Sequence, residues 1–279
     1  MEQKEILQLK RTAANIRKGI INATCAAGSG HPGGSLSITD VMTYLYFKGM
    51  NIDVKNPKMP NRDRFVMSKG HCAPALYSTL AERGFFPKED LITLRKTDSY
   101  LEGHPNMSTV PGVDMSTGSL AHGISVAVGM ALAGKMDKMS YRVFVGMGDG
   151  ELEEGQVWEA SMAAAHYKLD NLICFVDYNG LQIDGKITEV MNPEPIADKF
   201  VAFGLYVQSI DAHDFNQIEE AVENAKKQKG KPNMIVCHSI KGKGVSFMEN
   251  QAGWHGVAPK PDERDRALAE LDEYIASLE

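Results

Sequence analysis

The chain has 279 residues, of which 43% are hydrophobic and 24% are charged, as expected for an ordinary globular protein that can bury a large core. Its formal net charge of -6 argues against nucleic acid or an anionic membrane as the main partner. The four cysteines lie far apart without a C-x-x-C pair, so they indicate neither a zinc site nor a disulfide framework. We therefore expect a cytoplasmic protein.

The first half of the chain is predicted to be mainly helical. Apolar residues recur on one face from Lys4 to Ala27, which indicates a long helix, and Gly28 to Gly30 end it. A short strand is predicted over Arg64–Met67. The remaining predictions in this half are helices over 37–47, 74–83 and 118–133, and a short helix that opens at 87–90.

The second half alternates strands and helices. Two apolar strands, Arg142–Met147 and Asn171–Val176, flank a helical stretch from about Gly155 to Lys168, and together they form one βαβ unit. The pattern continues with a strand over 206–210, a helix over 214–228, a strand over 233–239 and a charged terminal helix over 261–278. This alternation predicts an α/β fold with a doubly wound parallel sheet flanked by helices. Residues 1–279 are expected to form a single domain, because no linker or repeat divides them.

Gly148-Asp149-Gly150 and Asn179 follow the two strands of the βαβ unit. Parallel strands in such a unit bring their carboxyl ends to one crevice, so we expect Asp149 and Asn179 to face each other across one site. A carboxylate and an amide oxygen supply part of the shell that Mg²⁺ prefers, and phosphates and water often complete it. The sequence therefore suggests a metal-bridged diphosphate.

Two familiar glycine-rich motifs do not fit this turn. A dinucleotide-binding fingerprint that starts at Gly146 would need glycine where Glu151 stands, and no P-loop string occurs in the chain. The simplest alternative is that Asp149 only caps the next helix. The matching position of Asn179 at the second strand end favours the ligand site.

Histidines in loops are the second feature of the chain that indicates chemistry. Four of the eight lie in loops rich in glycine or proline, namely His31, His71, His104 and His255. Imidazole passes protons near neutral pH, so we expect these four to take part in a reaction. The remaining four lie in helices, before a helix or at a strand end, which favours structural roles for His122, His166, His213 and His238.

These motifs together resemble one family. Gly148-Asp149-Gly150 with Asn179 is similar to the thiamine diphosphate and metal motif. The strings that resemble the transketolase pattern, in the same order, are Ser29–Gly33, Gly70-His71, Gly103–Pro105 and Thr117–Leu120. The resemblance spans nearly the whole chain and implies the N-terminal, diphosphate-binding subunit of a split transketolase. Such an enzyme transfers a two-carbon ketol unit from a ketose phosphate to an aldose phosphate, as in the pentose phosphate pathway.

The resemblance implies a role for each matching residue. Asp149, Asn179 and the backbone carbonyl of Leu181 would hold Mg²⁺, or Ca²⁺ or Mn²⁺ in its place. Residues expected to contact thiamine diphosphate are His71, Gly118, Leu120, Gly148, Asp149, Gly150, Glu154, Glu159, Asn179, Ile183 and His255. Residues expected to bind sugar hydroxyls or move protons are His31, His71, His104 and His255. Glu154 also counts among the catalytic groups, and with Glu159 it would lie at a subunit contact near the cofactor.

The resemblance also implies a second chain. In transketolases, the glutamate that helps to activate the thiazolium ring and the groups that bind the substrate phosphate belong to other domains. We therefore expect the pyrimidine-binding and C-terminal domains on a separate C-terminal subunit, in an α2β2 heterotetramer. Two alternatives stay open. One is another thiamine diphosphate enzyme, similar to 1-deoxyxylulose-5-phosphate synthase or to a 2-oxoacid dehydrogenase component, and the second is a non-catalytic scaffold that kept the fold.

Overall fold

A parallel sheet forms the centre of the protein in the computed structural model, which describes residues 1–278. The strands are β1 (Arg64–Met67), β2 (Val143–Gly148), β3 (Leu172–Tyr178), β4 (Leu181–Gln182), β5 (Gly185–Lys186), β6 (Tyr206–Asp211) and β7 (Asn233–His238). Five of them form the sheet in the order β1-β2-β3-β7-β6, while β4 and β5 pair as a separate antiparallel hairpin. The predicted doubly wound parallel sheet is confirmed.

Helices cover both faces of this sheet. They are α1 (Gln3–Ala27), α2 (Pro32–Ser37), α3 (Thr39–Tyr44), α4 (Ala73–Arg83), α5 (His122–Met136), α6 (Gly155–His166), α7 (Ile187–Val190), α8 (Ile196–Ala202), α9 (Phe215–Lys227) and α10 (Pro261–Ala276). No helix within residues 1–278 is both long enough and apolar enough to cross a membrane.

The core divides into two clusters, one on each face of the sheet. Successive residues of a strand point to opposite faces, so Phe144 joins the cluster under α1 to α4 and α9, whereas Val143 and Val145 join the cluster under α5, α6 and α8. Strand register then aligns the strand ends, because Gly148 lies beside Asp177 and Asp177 beside Cys237. The loops after β2, β3 and β7 therefore open at the same edge.

Several predicted boundaries were wrong. The predicted helix over 37–47 is instead a run of α2, α3 and a π-helical turn over Leu45–Gly49, and it starts at Pro32. Proline is well suited to the first helical position. Its neighbour Gly33 lies inside the helix rather than in a loop, and close packing leaves no room there for a Cβ atom. The predicted helix over 118–133 begins only at His122, because Ala121 has a left-handed backbone with φ of 66°. The hairpin, α7 and α8 were not predicted at all.

Close packing of α5 against β1 makes a sharp test of this fold. A Cβ atom at Gly123 would lie 2.6 Å from Ser68 Cα, whereas a Cβ atom at Gly129 of the same helix would meet nothing within 4 Å. Gly123→Ala should lower the free energy of unfolding by about 3 kcal/mol, because backbone must move. Gly129→Ala should raise it by up to about 1 kcal/mol through helix propensity. Urea denaturation of both variants checks this, and equal effects would contradict the packing.

Candidate functional site

A cavity of about 360 Å³ opens at the carboxyl ends of β2 and β3. The predicted site residues that line it are His31, His71, His104, Leu120, Gly148, Asp149, Gly150, Asn179, Leu181, Ile183 and His255. Gly118, Glu154 and Glu159 do not line it. Gly118 lies beside His104, because a Cβ atom on this glycine would be 3.6 Å from the His104 ring. Glu154 and Glu159 are exposed on the surface.

Asp149 and Asn179 lie at this cavity, each held by backbone amides. Asp149 Oδ1 accepts a hydrogen bond from the Gly150 amide at 3.0 Å, and Oδ2 accepts one from the Gly180 amide at 2.6 Å. Asn179 Oδ1 accepts from the Leu181 amide at 3.1 Å. Burial, together with the nearby carboxylate of Asp177, raises the pKa of Asp149 to about 7. A cation in the cavity would offset both effects.

A buried ion pair forms the floor of the cavity. Lys69 Nζ donates to Asp177 Oδ2 at 2.5 Å and to the carbonyl of Gly34 at 2.8 Å. Two hydroxyls and one amide also donate to Asp177: Ser37 to Oδ2 and Ser239 to Oδ1, each at 2.5 Å, and Asn179 Nδ2 to Oδ2 at 3.3 Å. Burial opposes ionisation of Asp177, but the Lys69 ammonium outweighs it and holds the pKa of that carboxyl below its usual value. No sequence pattern predicted this pair.

Lys241 is a second buried lysine in the wall of the cavity, and within residues 1–278 it has no carboxylate partner. Its Nζ donates to the carbonyl of Leu181 at 3.1 Å and lies 3.0 Å from His255 Nδ1. Burial and the neighbouring charge of Lys69 lower the pKa of Lys241. A charged lysine only donates, so Nδ1 of His255 accepts and the ring proton lies on Nε2. An anion is the partner that this ammonium lacks.

Glu151, the residue that rules out a dinucleotide-binding motif, has a structural role at the site. Its Oε1 accepts from the Ser68 hydroxyl at 2.5 Å and from the Ala121 amide at 2.7 Å, and its Oε2 accepts from the Gly148 amide at 3.1 Å. Burial raises its pKa. Glu151 therefore joins the ends of β1 and β2 to the start of α5, next to Leu120.

Three of the four loop histidines meet at the cavity. The ring centroids of His31 and His71 are 5.0 Å apart, those of His31 and His255 are 5.5 Å apart, and those of His71 and His255 are 5.3 Å apart. Burial, followed by neighbouring positive groups, lowers the pKa of His31 and His71 to about 4 and that of His255 to about 3. These rings are therefore uncharged at neutral pH.

His104 approaches the cavity from a separate loop. Its backbone carbonyl accepts a hydrogen bond from the Tyr77 hydroxyl at 2.8 Å, which fixes the loop to α4. Burial and the charge of Arg95 lower the pKa of His104. All four predicted loop histidines thus surround one space.

The donor set at the cavity fits a divalent cation and a diphosphate. Asp149 and Asn179 supply oxygens beside the carbonyl of Leu181, which has a second lone pair besides the one that accepts from Lys241. These are the ligand types that Mg²⁺ takes. Gly148 and Gly150 line the cavity without a Cβ atom, and a Cβ atom on Gly150 would lie 3.3 Å from Gln182. Among residues 1–278 there is no group of three His, Cys, Asp or Glu side chains arranged for a metal, so a cation here would need phosphate or water oxygens as well.

A family model and several known proteins match this chain over most of its length. Residues 9–271 match the model of the family described as transketolase, thiamine diphosphate binding domain. The chain is 48% identical over 266 residues to 6-deoxy-6-sulfo-D-fructose transketolase subunit SqwG of Clostridium sp. (strain MSTE9), covering 95% of this chain and 97% of the relative. It is 44% identical over 277 residues to an apulose-4-phosphate transketolase subunit of Phocaeicola vulgatus, covering 99% of this chain and 98% of the relative.

Longer relatives match over the same segment. A solved structure of a Pichia stipitis transketolase variant superposes with a TM-score of 0.87 and 33% identity, covering 97% of this chain but 44% of that one. Human transketolase is 39% identical over 277 residues, covering 99% of this chain and 44% of its own length. This chain thus spans less than half the length of these two relatives.

Proposed function

Because the chain belongs to the transketolase family and matches its thiamine diphosphate-binding domain, we propose that it is the N-terminal subunit of a two-chain enzyme that transfers a two-carbon ketol unit from a ketose phosphate to an aldose phosphate. The observation that carries the proposal is the end-to-end match to relatives named as transketolase subunits, while single-chain transketolases are more than twice as long. The second subunit would supply the remaining domains, in an α2β2 heterotetramer of the cytosol.

The diphosphate end of the cofactor would bind at the ends of β2 and β3. Asp149, Asn179 and the carbonyl of Leu181 would hold Mg²⁺, or Ca²⁺ or Mn²⁺, and the charge of the ion would help to neutralise the diphosphate. Gly148 and Gly150 would let the phosphates approach the backbone. The ammonium of Lys241, which no sequence motif indicated, would neutralise a further phosphate oxygen.

Proton movement would fall to the histidines. Thiamine diphosphate would supply the electron sink for the carbanion that ketose cleavage leaves. His31, His71 and His255 are uncharged at neutral pH, so His31 and His71 would each accept a proton from a sugar hydroxyl without first losing one. His255, whose Nδ1 accepts from Lys241, would instead donate its Nε2 proton to the sugar. His104 would bind a further hydroxyl of the sugar. Gly118, Leu120 and Ile183 would contact the cofactor through main chain and apolar surface.

The partner subunit would complete the site at the exposed side of the cavity. Ile183 is 62% exposed in this chain although it is apolar, and Glu154 and Glu159 are exposed at the start of α6. We place the contact with the C-terminal subunit there. The relatives act, by their names, on a sulfonated fructose and on apulose 4-phosphate, so the sugar used here would be set largely by the subunit that binds its phosphate or sulfonate.

Reconstitution tests this function. The chain is purified alone and with the C-terminal subunit that co-purifies from its source, and ketol transfer is measured with thiamine diphosphate and Mg²⁺. We expect transfer only when both subunits are present, because the group that activates the thiazolium ring would come from the partner. Sustained transfer by this chain alone would refute the two-chain proposal.

A further inference from the structure

A buried charged cluster joins three elements outside the cavity. Arg17 of α1 donates to Asp40 of α3 through two hydrogen bonds, from Nη1 to Oδ1 at 3.0 Å and from Nη2 to Oδ2 at 2.7 Å. His213, in the turn between β6 and α9, places its Nδ1 at 2.7 Å from Asp40 Oδ2. Arg17 and Asp40 are each 5% exposed, so this cluster is fixed within the core.

The backbone of Ile240 fixes the tautomer of His213. The Ile240 amide donates to His213 Nε2 at 3.0 Å, so Nε2 carries no proton. The ring proton must then lie on Nδ1, where it is donated to Asp40. Asp40 therefore holds the ring, and the ring holds the main chain of the loop that follows β7.

The residue after Ile240 is Lys241, whose ammonium lies in the cavity wall. Its stem lies close to Gly33, since an ideal Cβ atom on that glycine would be 3.2 Å from both Cγ and Cε of Lys241. The Gly242 amide donates to the carbonyl of Gly33 at 3.0 Å. The main chain is thus held on both sides of Lys241, by His213 before it and by Gly33 after it.

We propose that His213 is a positioning residue, which fixes the Ile240 amide and so directs the Lys241 ammonium toward the carbonyl of Leu181 and toward His255. The position of His213 before a helix start predicted a structural role. The hydrogen bond to Ile240 extends this role to the cavity, because Ile240 precedes Lys241. The effect of His213 on cofactor binding rests on the proposed function, whereas its hydrogen bond to Ile240 does not.

Two substitutions test the contributions of the two ring nitrogens of His213 separately. His213→Gln places an amide oxygen near the position of Nε2, which keeps the acceptor for Ile240. His213→Asn places an amide nitrogen near the position of Nδ1, which keeps the donor for Asp40 but leaves the Ile240 amide without its acceptor. The first readout is hydrogen exchange of the Ile240 amide in the full chain. We expect H213N to exchange at least about tenfold faster than H213Q and the unchanged protein. Equal protection in H213N and H213Q would overturn the proposal.

The second readout is the dissociation constant of thiamine diphosphate, measured by calorimetry with Mg²⁺ in the assembled enzyme. We expect H213N to weaken binding about tenfold and H213Q to leave it within about twofold. In a Lys241→Met background, H213N should have no further effect, because its influence passes through that ammonium. Additive losses in the double variant would overturn the proposal. If the unchanged enzyme binds no thiamine diphosphate, the proposed function fails, and the exchange result still decides the role of His213.

Discussion

Thiamine diphosphate should bind at least about 100-fold more weakly in the presence of Mg²⁺ when Asp149 is replaced by asparagine. Asp149 is the carboxylate at the end of β2, and it is 2% exposed with a pKa of about 7 because burial and Asp177 oppose its charge. A bound cation would stabilise the charged carboxylate, whereas the amide of asparagine carries no charge to attract the cation. Since loss of an outer ligand partner already costs roughly 10–100-fold in metal affinity, loss of this carboxylate should cost at least about 100-fold.

Calorimetry with Mg²⁺ and thiamine diphosphate measures the effect of Asp149→Asn. Asp184→Asn is the matched control, because it removes the same charge from an exposed position in the nearby β4–β5 turn. In the unchanged protein, affinity should also fall as the pH drops below about 7, because a proton on Asp149 then competes with the metal. An Asp149→Asn variant that keeps full affinity would remove Asp149 from the proposed ligand set.

The two buried lysines of the cavity should respond in opposite ways to the same substitution. Lys69→Met leaves the carboxylate of Asp177 buried without its ammonium, so the free energy of unfolding should fall by about 3–5 kcal/mol. Lys241→Met removes a lysine that has no carboxylate partner within residues 1–278 and whose charge is opposed by burial. Its free energy of unfolding should stay the same or rise.

Urea denaturation of both variants compares these effects at matched protein concentration. A third variant, with Lys69→Met and Asp177→Leu together, removes both charges and should recover part of the lost stability. If Lys69→Met and Lys241→Met prove equally stable, the ion pair with Asp177 contributes nothing to the stability of the cavity floor.

Sequence patterns predicted what depends on local order along the chain. Apolar strands ending just before Asp149 and close to Asn179 were enough to place both residues at one edge, because parallel strands share a direction. The loop histidines were recognisable from their glycine and proline neighbours. Each of these signals lies within a few residues of the group that it identifies.

The groups that were missed depend on contacts across the fold. Lys69 and Asp177 are 108 positions apart, and the partner of His213 is 173 positions away. Nothing beside Lys241 indicates that its ammonium would be buried. The hairpin and α7 are too short to show a periodic pattern, so no element was predicted for them between β3 and β6.

The imidazoles of His31, His71 and His255 lie so close together that a proton on one ring disfavours a proton on the other two. With ring centres 5.0 to 5.5 Å apart, two positive charges would repel each other by about 3 kcal/mol at an effective dielectric constant near 20. Uptake of a first proton by any ring therefore opposes uptake of a second, and the three titrate anticooperatively. Under the proposed function, the group would take one proton from a sugar in each turnover, and return of that proton would favour uptake of the next.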